Sequence, residues 1–223
     1  SADLATTGRR LDASYHASDG VLAARFIHEW GRRRNGRAPG ARAVCEAGEI
    51  YYGCRQIEAL GDLCISDGVF IGGRSRRIYV DDPDHGVPFL SSSDMLLASF
   101  DGVRHISRKQ PNLESLLLKQ DWVLISRSGT IGNVVFSRPN MEGMAGSEHI
   151  MRVVADPDRV LPGYLYTFLT SSHGQALLKS GTFGSVVDTI SPEFVSSVPI
   201  PRLDRDTEER IHELIEHAAA LRT

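Results

Sequence analysis

The sequence of 223 residues predicts an α+β fold, and three observations support this class. Short apolar and β-branched runs, cut by Gly, Asp and Pro, fill residues 43–108 and are typical of strands. Segments with helical spacing follow after residue 160. Strands and helices do not alternate regularly along the chain, which argues against a parallel α/β sheet.

The N-terminal part predicts one helix between two loose segments. Residues 1–10 look like a lead-in, and Leu22, Phe26 and Trp30 then recur every four positions, as on one face of a helix. Residues 32–42 hold five Arg and no acid. This basic stretch is either a solvated linker or a flap that contacts phosphates.

The middle of the chain predicts strands separated by turns. A short helix is expected to start at Pro111 and Asn112. Two strands are expected to flank the turn Ser-Gly-Thr-Ile-Gly at 128–132. The strand-like segments are 50–57, 68–80, 86–90, 122–127, 133–136 and 147–156.

A second helical stretch covers residues 161–181. Pro162 lies in its first turn, Leu165, Phe168 and Leu169 share one face, and Gly181 is a candidate stop. Residues 183–190 and 195–203 are expected to be extended, since prolines in the second of these segments disfavour a helix.

The last predicted element is a helix over residues 204–223. Asp206 and Glu209 resemble a capping box at its start. Its apolar stripe at helical spacing either closes onto the core of the domain or packs against a partner; it consists of Ile211, Leu214, Ile215, Ala218 and Leu221.

Composition and charge exclude some classes of protein. The net charge of −3 argues against a polycation that coats nucleic acid, but a local basic face remains compatible with it. We find neither an apolar run of membrane-spanning length nor a secretory leader, and we expect a cytoplasmic protein without membrane contact. Cys45, Cys54 and Cys64 are odd in number and widely spaced, so reduced thiols are favoured over a disulfide framework or a zinc site.

Catalytic and cofactor motifs do not occur in the sequence. His212 and His217 are five residues apart, so one helix would not direct both at a single metal ion as the His-Glu-x-x-His motif does. Neither a nucleophile elbow nor a phosphate-binding or dinucleotide-binding glycine motif is found. We therefore predict a non-catalytic protein without a metal or cofactor.

Polar loops supply candidate DNA contacts. Arg side chains can bind guanine edges or phosphates, and Ser, Thr and Asn can bind bases or the backbone. The alternative is an ordinary polar surface. In an extended chain, Arg74 and Arg76 would share one face and Arg77 would point away. The candidates are Arg74, Arg76, Arg77, Arg104, His105, Arg108, Lys109, Arg127, Ser128, Thr130, Asn133 and Ser185.

Several segments, in the same order, resemble a known family. The segment DWVLISRSGTIG at 121–132 resembles a block of the target-recognition domains in specificity subunits of type I restriction–modification systems. Similar agreement is found for RLDASYH at 10–16, VPFLSSSDM at 87–95, GSEHIMRV at 146–153 and the closing stretch 161–203.

The resemblance implies a fold and a function. It implies a twisted, partly barrel-like β-sheet recognition domain over 11–203, with flanking helices, and the start of a dimerisation-type spacer helix over 204–223. Such a subunit is not an enzyme: it reads one half of a split site in double-stranded DNA. It positions DNA methyltransferase subunits there, in some systems together with a restriction and translocase subunit.

The chain departs from the usual pattern in two respects. Family members usually carry two recognition domains whose helices pair antiparallel, whereas this sequence has one domain, and Glu208, Glu209 and Arg210 stand where the family often has Glu-Gln. The chain is then a half-subunit that pairs with a second copy or a second half, a domain of a longer protein, or the recognition module of a fused restriction–methyltransferase enzyme. A protein-interaction module that does not bind DNA is a further alternative.

Overall fold

A computed structural model describes two short strands near the N-terminus and residues 56–129, 131–182 and 189–222. The predicted lead-in, the first helix and the basic stretch 32–42 lie outside the described residues, as do Cys45, Cys54, Thr130 and Ser185.

The α+β class is confirmed. The strands are β1 Ala43–Val44, β2 Ile50–Tyr51, β3 Gln56–Ala59, β4 Cys64–Ile71, β5 Tyr79–Val80, β6 Gly86–Leu90, β7 His105–Ser107, β8 Val123–Ser126, β9 Val134–Phe136, β10 Ala145–Gly146, β11 Ile150–Ala155 and β12 Pro199–Arg202. The α-helices are α1 Pro162–Thr170, α2 Ser172–Ser180, α3 Pro192–Ser196 and α4 Arg205–Ala220.

The central sheet is antiparallel, with the strand order β4, β11, β8, β9. Strands β8 and β9 are the two predicted strands around the glycine turn. Gly129 and Gly132 in that turn have φ values of +75° and +85°, a region that disfavours residues with a Cβ. The turn brings the strands into register, so that Val123 lies opposite Phe136.

The second sheet has the strand order β10, β6, β7, β5. Strands β6 and β10 are parallel, whereas β7 is antiparallel to both β5 and β6. The predicted short helix before β8 is a 3₁₀ turn, Leu113–Leu116, and its Leu116 packs with Val87, Phe89 and Ile106 of this sheet. The described strands do not close into a barrel.

Helices cover one face of the central sheet. Leu165, Phe168 and Leu169 of α1 are buried against the sheet, as their shared face predicts. The predicted stretch 161–181 is two helices rather than one, because the chain is extended at Ser171 and the Ser171 hydroxyl accepts a hydrogen bond from Gly174 N–H. Gly181 ends the second helix, as expected.

The opposite face of the central sheet packs against the second sheet. Leu124 and Ile150 pack there with Leu90 of β6 and with Met95 and Leu118 of the neighbouring loops, while Val123 and Met151 belong to the core on the helical side. Both faces are therefore buried, which explains why β8 is apolar without alternation.

Two sequence predictions near the C-terminus need correction. Residues 195–196 are not extended, because they end helix α3, whose first turn is capped by the Ser191 hydroxyl. Helix α4 begins at Arg205 rather than after Asp206: the Asp204 carboxylate accepts hydrogen bonds from Thr207 N–H and Oγ1–H, 3.0 and 2.9 Å away.

Glu208, rather than Glu209, turns back toward the start of helix α4. Its buried carboxylate accepts hydrogen bonds from Leu203 N–H and from the Arg202 guanidinium. Arg202 also forms an ion pair with Glu58 of β3. The ion-pair network anchors the helix to the two-stranded sheet of β3 and β12.

None of the helices in the described ranges is both long and apolar enough to cross a bilayer.

Candidate nucleic-acid interface

The loop between β4 and β5 carries the densest group of predicted DNA contacts. The side chain of Arg74 is 77% exposed and Arg76 is also exposed, whereas the side chain of Arg77 is only 8% exposed. This arrangement matches the expected alternation of an extended chain. Arg74 and Arg76 are therefore available to a ligand, and Arg77 is committed to contacts within the protein.

Gln110 fixes the path of this loop. Its carboxamide oxygen accepts a hydrogen bond from Ile78 N–H, and its amide nitrogen donates to the Arg76 carbonyl and the Ser75 hydroxyl, at 2.8, 3.1 and 3.2 Å respectively. Gln110 is buried, so these bonds are shielded from water. The loop is thus held by side-chain bonds from a neighbouring segment and not only by its own turns.

The turn between β10 and β11, Ser147–Glu148–His149, contacts two of the predicted loops. The Arg77 guanidinium donates to the Glu148 carboxylate at 2.9 Å, and Arg74 lies 4.0 Å from the same carboxylate. On the other side, the Ser128 hydroxyl is 2.6 Å from His149 Nδ1. The turn therefore brings the 74–77 loop and the glycine turn after β8 into one region of the molecule.

Buried Arg152 supports this turn from within. Its guanidinium donates to the carbonyl oxygens of Ser147, Gly146, Ile150 and Leu116, at 2.6 to 3.1 Å. Burial, and secondarily repulsion from Arg77, lower the pKa of Arg152 to about 10, while attraction to Glu148 raises it in part. A Cβ at Gly72 would lie 3.0 Å from this guanidinium, so the bare glycine lets the start of the basic loop approach closely.

The glycine turn after β8 places its polar residues unequally. Arg127 is half-buried, and its Nε donates to the Ile190 carbonyl, 3.4 Å away. Ser128 is buried, and Asn133 is half-buried with its main-chain carbonyl bonded to Ser126 N–H. These three side chains are less accessible than Arg74 and Arg76.

The remaining candidates lie in β7 of the second sheet or next to its ends. The Arg104 guanidinium stacks over the ring of half-exposed Tyr79, 4.5 Å from its centroid. His105 is half-buried within the strand. Arg108 and Lys109 are exposed beyond its end, and Arg108 Nε donates to the Asp84 carbonyl at 3.3 Å.

Tyr79 and Phe89 link these groups to the basic loop. The two rings are in edge contact with centroids 6.1 Å apart, and the Arg77 guanidinium lies 5.4 Å from the Phe89 centroid. The second sheet thus places Arg104 beside the loop that carries Arg74 and Arg76. The combination of exposed guanidinium groups and an exposed aromatic ring can bind phosphates and base edges.

The apolar stripe of α4 divides between the core and the surface. Ile211 packs against the core, and Ile215 is half-buried. Leu214 and Leu221 are 63% and 76% exposed, and Ala218 between them is exposed as well. One edge of the helix therefore closes onto the core, as the first alternative predicts, and a partner for the exposed edge stays a prediction.

Sequence reasoning missed four residues that organise the site: Gln110, Glu148, His149 and Arg152. Glu148, His149 and Arg152 belong to the segment GSEHIMRV, whose charged positions within a strand-like run were a usable signal. Nothing in the local sequence marks Gln110. The described residues contain no group of His, Cys, Asp and Glu that could hold a metal ion.

The fold is similar to that of a class of solved proteins, the S subunits of type I restriction–modification systems. No protein-family model and no curated protein matches the chain. The structural likeness confirms, at the level of the fold, the resemblance that the sequence segments indicate.

Three solved structures illustrate the likeness. The type I S subunit from M. genitalium matches with a TM-score of 0.52 and 12% identity, over 76% of this chain and 40% of that one. A chain from a study of complex assembly and conformational transition of the type I R-M system gives a TM-score of 0.54 and 16% identity, over 92% and 45%. The HsdS subunit from Thermoanaerobacter tengcongensis gives a TM-score of 0.51 and 18% identity, over 92% of this chain and 43% of that one. The chain spans less than half the length of each neighbour.

Proposed function

We propose that this chain is a non-catalytic module that gives a type I restriction–modification system its DNA sequence specificity. In this proposal the domain reads one half-site of double-stranded DNA and positions DNA methyltransferase subunits there, with a restriction and translocase subunit in systems that contain one. The likeness of its fold to S subunits, over less than half of their length, is the observation that carries the proposal.

The charge distribution supports DNA as the ligand. Arg74 and Arg76 are exposed on a loop held by Gln110, and Arg104 lies beside it on Tyr79. A rigid loop lets these side chains bind without a large loss of backbone entropy. We expect the exposed arginines to supply phosphate anchoring and a few base contacts, to which Arg108, Lys109 and the glycine-turn residues add. Thr130 and Ser185 remain candidates from the sequence.

The exposed edge of α4 supports a protein partner. Leu214, Ala218 and Leu221 follow one another at helical spacing and remain exposed, although Ile211 is packed inward. We assign this edge to a second copy of the chain or a second half-subunit. Linking two half-site readers would raise the affinity for the complete DNA site without any new contact to DNA.

A protein-interaction module without DNA binding is the second candidate, and the exposure of Leu214 and Leu221 favours it. It predicts association through α4 but no affinity for duplex DNA. A fused restriction–methyltransferase enzyme would use the domain for DNA reading in the same way.

The test compares DNA binding by two double variants of equal charge. Arg74→Ala/Arg76→Ala removes the two exposed loop guanidinium groups, and Arg205→Ala/Arg210→Ala removes two from α4. Each lost phosphate contact should reduce the slope of log K against log salt concentration by about 0.9. We expect a reduction of nearly two in the loop variant and little change in the helix variant, by fluorescence anisotropy on duplex DNA.

Arg77 is left intact in this test, since its pair with Glu148 holds the loop. Equal salt slopes for both variants would remove the loop from the DNA face. The broader role is tested by co-expression with a type I methyltransferase subunit and sequencing of the methylated bases. A single methylated motif that changes when the domain is exchanged is the expected result, and unchanged methylation would refute the proposal.

A further inference from the structure

A carboxylate lies in the middle of the candidate basic surface. Glu148 is 20% exposed, and its two oxygens face the arginines of the neighbouring loop: Oε2 accepts from Arg77 at 2.9 Å, and Oε1 lies 4.0 Å from Arg74 Nε. An acidic group at this position opposes the approach of DNA phosphates, whereas a surface built only for affinity would hold none.

The two ion pairs of Glu148 differ in how easily they exchange. The side chain of Arg77 is 8% exposed, and its charge lowers the pKa of buried Arg152. If Arg77 lost its contact with the Glu148 carboxylate, these two neighbouring cations would remain uncompensated. Arg74 is 77% exposed and only at the limit of contact with Glu148. Such an exposed pair stabilises little, so Arg74 can leave Glu148 for a phosphate at small cost.

We infer that Glu148 is a specificity-determining residue, which weakens binding to unrelated DNA more than binding to the recognised sequence. This inference rests on the proposed DNA-reading function. On unrelated DNA the protein samples many registers, and those that bring a phosphate toward Glu148 are repelled. On the recognised sequence, base contacts hold one register in which Arg74 takes the phosphate and Glu148 keeps Arg77.

A purely structural role of Glu148 predicts a different result. If the carboxylate served only to hold the loop, its removal would weaken binding to every duplex. The proposed role predicts that removal of the charge strengthens binding to unrelated DNA and narrows the ratio between recognised and unrelated sequences. The sign of the change on unrelated DNA therefore distinguishes the two roles.

The experiment uses the full chain with Glu148→Gln, which keeps the shape and one acceptor oxygen for Arg77. Glu213→Gln, on the exposed side of α4, is the control for the change in net charge. The wild type first selects its sequence from a pool of randomised duplexes. Affinities for the selected duplex and for the unselected pool are then measured at several salt concentrations.

We expect Glu148→Gln to bind the unselected pool roughly fivefold more tightly, the effect of one unit charge about 4 Å from a phosphate in water. Its ratio of affinities for selected and unselected DNA should fall by a similar factor, while Glu213→Gln stays near the wild type. An unchanged or weaker affinity of Glu148→Gln for the pool overturns the inference.

A readout on the loop itself guards against misfolding. Limited proteolysis within residues 72–78 should be slower in Glu148→Gln, which keeps a hydrogen-bond acceptor for Arg77, than in Glu148→Ala, which loses the contact to Arg77. If the wild type selects no sequence at all, the proposed function fails and the inference with it. If it selects one and Glu148→Gln keeps the wild-type ratio, only the inference fails.

Discussion

Replacement of Glu208 by Ala should destabilise the domain far more than the same change one residue later. The Glu208 carboxylate is buried and accepts hydrogen bonds from Arg202 Nε, Arg202 Nη2 and Leu203 N–H, at 2.9, 2.7 and 3.0 Å. The hydrogen bonds between Arg202 and Glu208 are the largest of the effects that raise the pKa of Arg202 above its usual value. Glu208→Ala leaves the Arg202 cation without its main partner in a largely dry site.

The expected loss of unfolding free energy depends on the partners that Arg202 keeps in Glu208→Ala. Breaking a buried pair by removing one partner costs about 3–5 kcal/mol. Arg202 keeps Glu58 at 2.7 Å and the Arg159 carbonyl at 2.7 Å, so we expect the low end, about 3 kcal/mol. Glu209→Ala is the matched control: its pair with Arg205 at 2.8 Å is exposed on both sides and contributes at most about 0.5 kcal/mol.

Equilibrium unfolding in urea measures both variants, with the free energy of unfolding extrapolated to water. A difference of about 2.5 kcal/mol between Glu208→Ala and Glu209→Ala is expected. Equal losses in the two variants would refute the reasoning, because they would show that the buried network does not anchor the helix.

Three further predictions concern packing, association and pH. Gly163→Ala should lower the free energy of unfolding, measured in urea, by about 1–3 kcal/mol, because a Cβ there would lie 2.8 Å from His212 Cα and push α1 away from α4. An unchanged unfolding midpoint would contradict this close contact. Leu214→Asp should change the unfolding free energy by less than about 0.5 kcal/mol yet abolish concentration-dependent association in sedimentation, and association that persists would exclude this edge of α4. Burial, with a smaller contribution from Asp156, raises the pKa of the Cys64 thiol from 9.0 to about 12. Because the folded protein favours the neutral thiol, the stability linked to it is complete below pH 9 and is lost as the pH rises toward 12. The free energy of unfolding of Cys64→Ala should therefore fall less steeply above pH 9 than that of the wild type, by up to about 1.4 kcal/mol per pH unit. Parallel pH profiles of the two proteins would show that the thiol does not contribute.

Local patterns predicted most of the elements in the second half of the chain. The glycine turn between β8 and β9 requires positive φ values, which Gly129 and Gly132 supply, and the face of Leu165, Phe168 and Leu169 is buried as its spacing indicates. Helix ends depend on more than the local pattern. Asp204 and Asp206 are the same residue type, so either could cap the start of helix α4. In the structure Asp204 is the cap, and Glu208, four residues later, is the glutamate that binds the largely buried Arg202.

The candidate site was only partly predictable. Extended-chain alternation placed Arg74 and Arg76 together and turned Arg77 away. Local sequence holds no information that Gln110, more than thirty residues away, bonds to that loop, or that Glu148 neutralises Arg77. Of the three arginines proposed to contact DNA, Arg77 is therefore bound to Glu148 and only 8% exposed, and the assignment of the loop to DNA stays a prediction.

The sequence by itself determined the α+β class, the turns that need glycine and the order of segments that resembles S subunits, because these depend on short-range sterics and on periodic burial. The tertiary structure alone decided which charges are available. Glu148, Arg152 and Glu208 are ordinary charged residues in a linear sequence, and only tertiary packing buries Arg152 and Glu208 and places Glu148 against Arg77. The contribution of each charge to stability then depends on partners that lie far away in the sequence.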